Sequence, residues 1–159
     1  MSGRDFSSVT RRRILKAAAA LTVGGGALQI VRPAGSTPAA MQAAIHTIVG
    51  ENQINKGKVT LDIPPLVENG NTVACSVSVA SPMTAADYVK AIHIFNEKNP
   101  QPNVIGVHLG PRAGRAGFST RIRLADTQRV IAIAELSDGS LWSDSVDVVI
   151  TLGACLEDS

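Results

Sequence analysis

The chain has 159 residues, 18% of them charged and 3% aromatic, with a formal charge of +2. That basicity sits at one end. Arg4, Arg11, Arg12, Arg13, Lys16 and Arg32 all precede Met41, and from Met41 onward nine Lys/Arg face twelve Asp/Glu, a formal charge of −3, so nothing argues for nucleic-acid binding.

The first element is a targeting segment. Thr10-Arg11-Arg12-Arg13-Ile14-Leu15-Lys16 is followed by an apolar, Gly- and Ala-rich run from Ala17 to Val31. The order and spacing resemble a twin-arginine export signal. The run is shorter than the roughly 20 apolar residues needed to span a bilayer. Residues 1–40 are therefore expected to be a cleaved signal, cut within Ala34 to Ala40, with no membrane attachment afterwards. A twin-arginine route implies a protein folded before export to the periplasm.

About 120 residues are left, enough for one domain with its own core. Residues 41–57 read as a short helix and linker, since Met41, Ile45, Ile48 and Val49 have helical spacing before Gly50. From 58 to 152 the pattern is strands. Val59, Leu61 and Ile63 alternate up to Pro64-Pro65, and Glu68-Asn69-Gly70-Asn71 reads as a turn. Thr72–Val79 alternates next and stops at Ser81-Pro82. Val89–Phe95, Val104–Leu109, Phe118–Leu124, Val130–Glu135 and Leu141–Leu152 follow, the last pair joined by a turn over Ser137-Asp138-Gly139-Ser140. About seven strands separated by turn signals predict an all-β fold, an immunoglobulin-like two-sheet sandwich preceded by the signal and the short helix. Helices alternating with strands are missing, which argues against a Rossmann-like nucleotide binder. With so few aromatic residues the core must be aliphatic.

The chemistry comes from a short list. After the alternation Val146, Val148, Ile150, Leu152, the chain leaves the sheet through Gly153 and Ala154, and Cys155 follows on an expected flexible arm over 153–159. A thiol is out of place on such a tail, because a free cysteine normally behaves as a small buried hydrophobe. Three residues give it a reach of roughly 10 Å, which suits presentation to other proteins. Cys75 is in phase with Val73, Val77 and Val79 and should face the core as an inert thiol. A bridge from Cys75 to Cys155 would have to pull the tail against an inward position. No Cys-x-x-Cys occurs, which rules out a thioredoxin-like dithiol.

His46, His93 and His108 lack any metal-ligand spacing, and neither a metal nor a cofactor is expected. Neighbouring strands would be needed to bring His93 and His108 together. Gly110-Pro111-Arg112-Ala113-Gly114-Arg115 lies between two strands, with no helix N-terminus behind it to hold a phosphate. Arg121 and Arg123 project from one face of a strand, with Ile122 and Leu124 on the other. They read either as a solvated outer face or as an anion-attracting or partner-docking surface.

Three segments carry a resemblance: Glu68-Asn69-Gly70-Asn71-Thr72-Val73 running on to Val104, then Ser119 to Trp142, then a terminal strand ending in Gly-x-Cys. Together with the export signal they resemble the SoxY family, the sulfur-carrying subunit of the bacterial thiosulfate-oxidising Sox system, over about Lys58 to Cys155. The resemblance implies a sandwich paired in the periplasm with a SoxZ-like subunit, and sulfur intermediates held covalently on Cys155. It also implies that partner enzymes do the chemistry: a c-type cytochrome, a sulfate-thiol hydrolase and a sulfur dehydrogenase. Such a chain is a carrier and not itself an enzyme. Pairing implies an exposed, largely aliphatic sheet face.

The ending departs from the family's Gly-Gly-Cys-Gly-Gly. Here it reads Gly153-Ala154-Cys155-Leu156-Glu157-Asp158-Ser159. Leu156 adds bulk, and the carboxylates disfavour the thiolate by like charge. Two alternatives follow: an interaction subunit that pairs with a SoxZ-like partner but carries no sulfur, and an autonomous thiol enzyme. The second has no neighbouring base or pKa-lowering group in the sequence near Cys155.

Overall fold

The computed structural model describes residues 37–153. Most of the expected export signal, 1–36, and the arm residues 154–159, Ala154 and Cys155 among them, lie outside the described residues.

Helix α1 spans Pro38–Val49. Thr37 caps it, its hydroxyl accepting from the Ala40 N–H at 3.2 Å, and Pro38 enters at the first turn, where its missing N–H costs nothing. The helix therefore begins three residues before the apolar spacing alone predicts. It stops at Gly50, whose φ of 64 needs glycine and whose N–H returns to the His46 carbonyl.

Nine strands follow: β1 (Ile54–Lys56), β2 (Val59–Asp62), β3 (Leu66–Asn69), β4 (Val73–Val79), β5 (Val89–Asn96), β6 (Asn103–His108), β7 (Gly117–Ile122), β8 (Gln128–Leu136) and β9 (Leu141–Leu152). They form the expected two-sheet sandwich. The larger sheet runs β1-β9-β8-β5-β6 with β3 also on β9, and the smaller runs β2-β4-β7. Alternation decides which side chains go between them. Val73, Cys75, Val77 and Val79 of β4 all face inward. They meet Ile92, Ile94, Val130, Ala132, Ala134 and Val148 of the larger sheet. That core is aliphatic, as the shortage of aromatics requires. Each fully buried valine or isoleucine among them contributes about 1.5–3 kcal/mol.

The seven expected strands are present, with edges moved by one or two residues. The last inward pair of the arginine-bearing strand closes earlier than expected, at Ile122. Two short strands are additions. β1 and β3 both pair in parallel with β9. Residues Glu68 and Asn69 thus end β3, and the turn is confined to Gly70-Asn71, held by the Asn71 N–H on Asn69 Oδ1 at 2.9 Å. The turn before β9 is a tight hairpin, with Gly139 at φ 82 and the Leu136 N–H on the Ser140 carbonyl at 3.0 Å.

The expectation of a broad aliphatic exposed face is not met. Met41, Ile45 and Val49 of α1 pack on the outer face of the larger sheet against Phe95, Ile133 and Leu141, so the chain covers that apolar face itself. The outer face of the smaller sheet presents Thr60, Asp62, Ala74, Ser78, Ser119 and Arg121. Large exposed apolar side chains among the described residues are limited to Ile48, Leu66, Val149 and Leu152. Two of these, Leu66 and Val149, are cross-strand partners.

Candidate functional site

The terminal strand is tied on both sides at the point where the arm leaves it. β8 flanks β9 along most of its length, from Gln128↔Val148 to Glu135↔Leu141. On its other side β3 pairs Leu66 with Val149 and Asn69 with Leu152. Beyond that pairing, the Gly70 N–H donates to the Leu152 carbonyl at 2.8 Å, and the Gly70 carbonyl accepts from the Leu124 N–H at 2.8 Å. Thr127 completes the tie. Its hydroxyl accepts from the Ile150 N–H at 3.0 Å.

The loop from Arg123 to Thr127 is itself held. Asn99 accepts from the Ala125 N–H at 3.0 Å and donates to the Arg123 carbonyl at 2.6 Å. The buried Gln128 donates to the same Asn99 oxygen at 3.1 Å and accepts from the Lys98 N–H at 2.8 Å. Lys98 also pairs with Asp126 at 2.8 Å. The Lys98 ammonium, with the Thr127 N–H, holds the Asp126 carboxyl below its ordinary range.

Gly153, expected to open the flexible arm, is packed on this loop. A Cβ placed on it would fall inside the Ala125 carbonyl oxygen and 3.2 Å from the carbonyl carbon. Nothing in the sequence marks this contact, because Ala125 belongs to a loop 28 positions away in the chain.

Cys75 is buried as its phase predicts, 1% exposed. Burial, with a smaller push from the Asp62 carboxylate, raises its thiol to about 11. A thiol that stays protonated inside a packed core is neither nucleophile nor metal ligand.

The histidines divide. His46 is exposed on α1, 2.6 Å from Glu51. His93 and His108 do meet, on the outer face of β5 and β6, with ring centroids 6.0 Å apart at 84°. Burial, and then the His108 charge, lower the His93 pKa. Its Nδ1 is buried with no partner among the described residues. Across from it is Gly106, where a Cβ would stand 3.1 Å from Nδ1. No three His, Cys, Asp or Glu side chains group as a metal site among the described residues.

Arg121 and Arg123 are both exposed, while Ile122 and Leu124 are buried. Only Arg121 stands on the strand. It lines a shallow 570 Å³ hollow on the smaller sheet with Ala74, Ser76, Ser119 and Thr120. A hydrogen bond of 2.9 Å joins the Ser76 and Ser119 hydroxyls on its floor. Arg123 lies in the loop that carries the arm contact. Neither has an ion-pair partner among the described residues, whereas Arg129 pairs with Asp147 at 2.8 Å.

Comparison with known proteins bears on the fold and the family. The profile of the family described as "Sulfur oxidation protein SoxY" matches residues 45–155, from within α1 through every strand to Cys155. No curated protein sequence matches the chain. Among solved structures, the sulfur carrier protein SoxY from Chlorobium limicola f thiosulfatophilum is similar at 25% identity with a TM-score of 0.60, over 70% of this chain and 96% of that one. A superoxide reductase (neelaredoxin) from Ignicoccus hospitalis is similar at 17% identity and TM-score 0.53, over 72% of this chain and 94% of that one. A putative superoxide reductase from Thermotoga maritima gives 18% and 0.51, over 62% and 87%. At such identities the two reductases share the sandwich and no more. The family profile spans well over half of the chain, including all nine strands and the cysteine after them, and on that ground the chain belongs to the SoxY family of sulfur oxidation proteins.

Proposed function

We propose that the protein is a periplasmic sulfur carrier that holds sulfur intermediates covalently on Cys155 while partner enzymes act on them. One observation carries the reading: the family match ends on Cys155, and the other cysteine, Cys75, is walled into the core. The chemistry needs little from the sandwich itself. Joining the outer sulfur of thiosulfate to the thiol forms an S–S bond, releases the thiol proton and sends two electrons to a c-type cytochrome partner. Water then attacks the terminal sulfonate, releasing sulfate and a proton and leaving a persulfide on Cys155. A sulfate-thiol hydrolase serves that step, and a sulfur dehydrogenase removes six electrons from the outer sulfur that is left, which takes its three oxygens from water with release of seven protons and becomes a sulfonate open to the same hydrolysis.

In this reading the chain is exported folded, by the twin-arginine route, with a SoxZ-like subunit bound. Arg121 and Arg123, which have no ion-pair partner among the described residues, are the docking or anion-attracting groups. Arginine suits both roles, since its planar fork matches carboxylate and sulfate-like oxygens. Leu156 and Glu157, which stand where the family has glycines, and the further carboxylate of Asp158 favour a second reading, a subunit that pairs but stays unloaded.

Mass spectrometry of the protein purified from the periplasm separates the two. Sulfur-mass adducts on the Cys155 peptide, lost in Cys155→Ser and kept in Cys75→Ala, are expected of a carrier. A persistently bare Cys155 in cells oxidising thiosulfate overturns the carrier reading and leaves the pairing subunit.

A further inference from the structure

We propose that Gly153 is the fixed root of the arm and not part of its swing, a positioning residue that aims Cys155 from the Ala125–Asp126 turn. The inference rests on the carrier reading for its functional consequence, though not for its geometry.

Glycine before a mobile thiol is ordinarily read as freedom of the backbone. The geometry points elsewhere. Gly153 does not have positive φ, in contrast to Gly50, Gly57, Gly114 and Gly139, so no left-handed backbone demands a glycine there. What it lacks is room. The Cβ of an alanine here would be closer to the Ala125 carbonyl oxygen than the 2.7 Å separating a Cβ on Gly117 from the Val77 carbonyl. The obstacle is backbone, which cannot rotate aside as a side chain does.

Neither wall of the contact is free to retreat. Ala125 is pinned through its N–H to Asn99, which is also bonded to Gln128 and the Arg123 carbonyl. Leu124, next to it, is fully buried and bonded to Gly70. The end of β9 is bonded to that same Gly70 and to Thr127. A methyl at 153 must therefore lift Leu152–Gly153 off the loop or break one of these bonds.

The root sets the range of the thiol. Two residues span at most about 7 Å, so the Cys155 backbone stays within that distance of Gly153 wherever the arm turns. Partner active sites must then come to the end of the sandwich bearing Leu152, Arg123 and the Lys98–Asp126 pair. A hinge at Gly153 would widen that range and unfix its direction.

The test uses the full mature chain with its pairing subunit. In the parent, the backbone amide of Gly153 should show a 15N order parameter near that of β9, about 0.85, where a hinge would show less than about 0.6. Gly153→Ala should speed hydrogen exchange at Leu124 and Ile150. It should also lower kcat/KM for partner-catalysed loading from thiosulfate at least tenfold, while iodoacetamide alkylation of Cys155 changes less than twofold. Gly110→Ala, at an open position where a Cβ meets nothing within 4 Å, should leave all three unchanged. A low order parameter at Gly153 overturns the proposal, even if the alanine variant does not fold. So does a folded Gly153→Ala protein that loads at the parent rate with unchanged exchange. If the parent never loads, the carrier reading fails, and the order parameter and the exchange rates still decide whether Gly153 is fixed.

Discussion

His93 meets His108 edge to face across β5 and β6, and one imidazole nitrogen of His93 is buried without a partner among the described residues. Protonating His93 places a charge in a poorly solvated site beside a second imidazole ring. Its folded-state pKa therefore lies below the ordinary 6.5, against a smaller opposing pull from Glu135. The unfolded chain takes up the proton first, so stability is full above pH 6.5 and is lost as pH falls through the folded-state pKa. Melting temperatures measured downward from pH 8 should decline below pH 6.5, and His93→Gln should flatten that decline. An identical slope in the variant would assign the acid sensitivity to other groups. The carboxyls of Asp126, Asp138 and Asp147, all held below their ordinary 3.8, act in a separate window under that pH.

The two cysteines should differ sharply in reactivity. With its thiol raised to about 11 and 1% exposure, Cys75 should resist alkylation in the native protein at neutral pH and react only in denaturant. Cys75→Ala should cost about 1 kcal/mol, the scale of one small buried group. Cys75→Ser should cost about 1–3 kcal/mol more, because its hydroxyl would be buried among valines without an acceptor. Urea titrations of both variants check the order. A serine variant as stable as the alanine one would mean the site admits water.

Asn99 ties three backbone and side-chain groups at once, so its loss should be felt beyond its own size. Asn99→Ala leaves the Ala125 N–H, the Arg123 carbonyl and the Gln128 amide without their partner. The expected loss is about 2 kcal/mol. Hydrogen exchange should show opening confined first to residues near the loop and the end of β9. A variant within 0.5 kcal/mol of the parent, the ordinary scatter of surface changes, would show that water replaces the asparagine.

The acidic ending should tune Cys155 weakly. Exposed charges a few Å apart in water interact by about 1 kcal/mol. Glu157→Gln with Asp158→Asn should therefore lower the Cys155 pKa modestly and speed its alkylation near neutral pH, with the gain shrinking in high salt. Equal alkylation profiles for parent and variant at low salt would leave Leu156, acting by bulk, as the departure that matters.

What could be read from sequence follows the range of the interactions involved. β4, β8 and β9 were legible because each has a core face of its own and shows it as alternation. β1 and β3 were not. Their exposure pattern carries no alternation, and they are strands only because β9 offers them an edge to pair with. The burial of Cys75 was legible from phase alone. The meeting of His93 and His108 depends on the register that sets Ala91 opposite His108, which no local pattern encodes. The close approach of Gly153 to Ala125 is hidden in the same way, and the Gly-x-Cys spacing even invites the opposite reading, of slack. The small polar face on β2-β4-β7 was missed because the alternation marks which residues turn outward but not which outer face the helix will cover.

The parallel pairing of β1 and β3 with β9 also sets an order of events. β9 is the last of the described strands, yet it is the centre to which β1, β3 and β8 attach. Its partners in β1 and β3 lie more than 80 positions back along the chain. Contacts so distant in sequence close late and slowly. Until β9 has been synthesised, then, β1 and β3 have no strand to pair with, although β2-β4-β7 and β8-β5-β6 can already form. The segment that leads to the thiol is thus among the last pieces set in place, so a seated Leu152 reports that the sandwich behind it has already assembled.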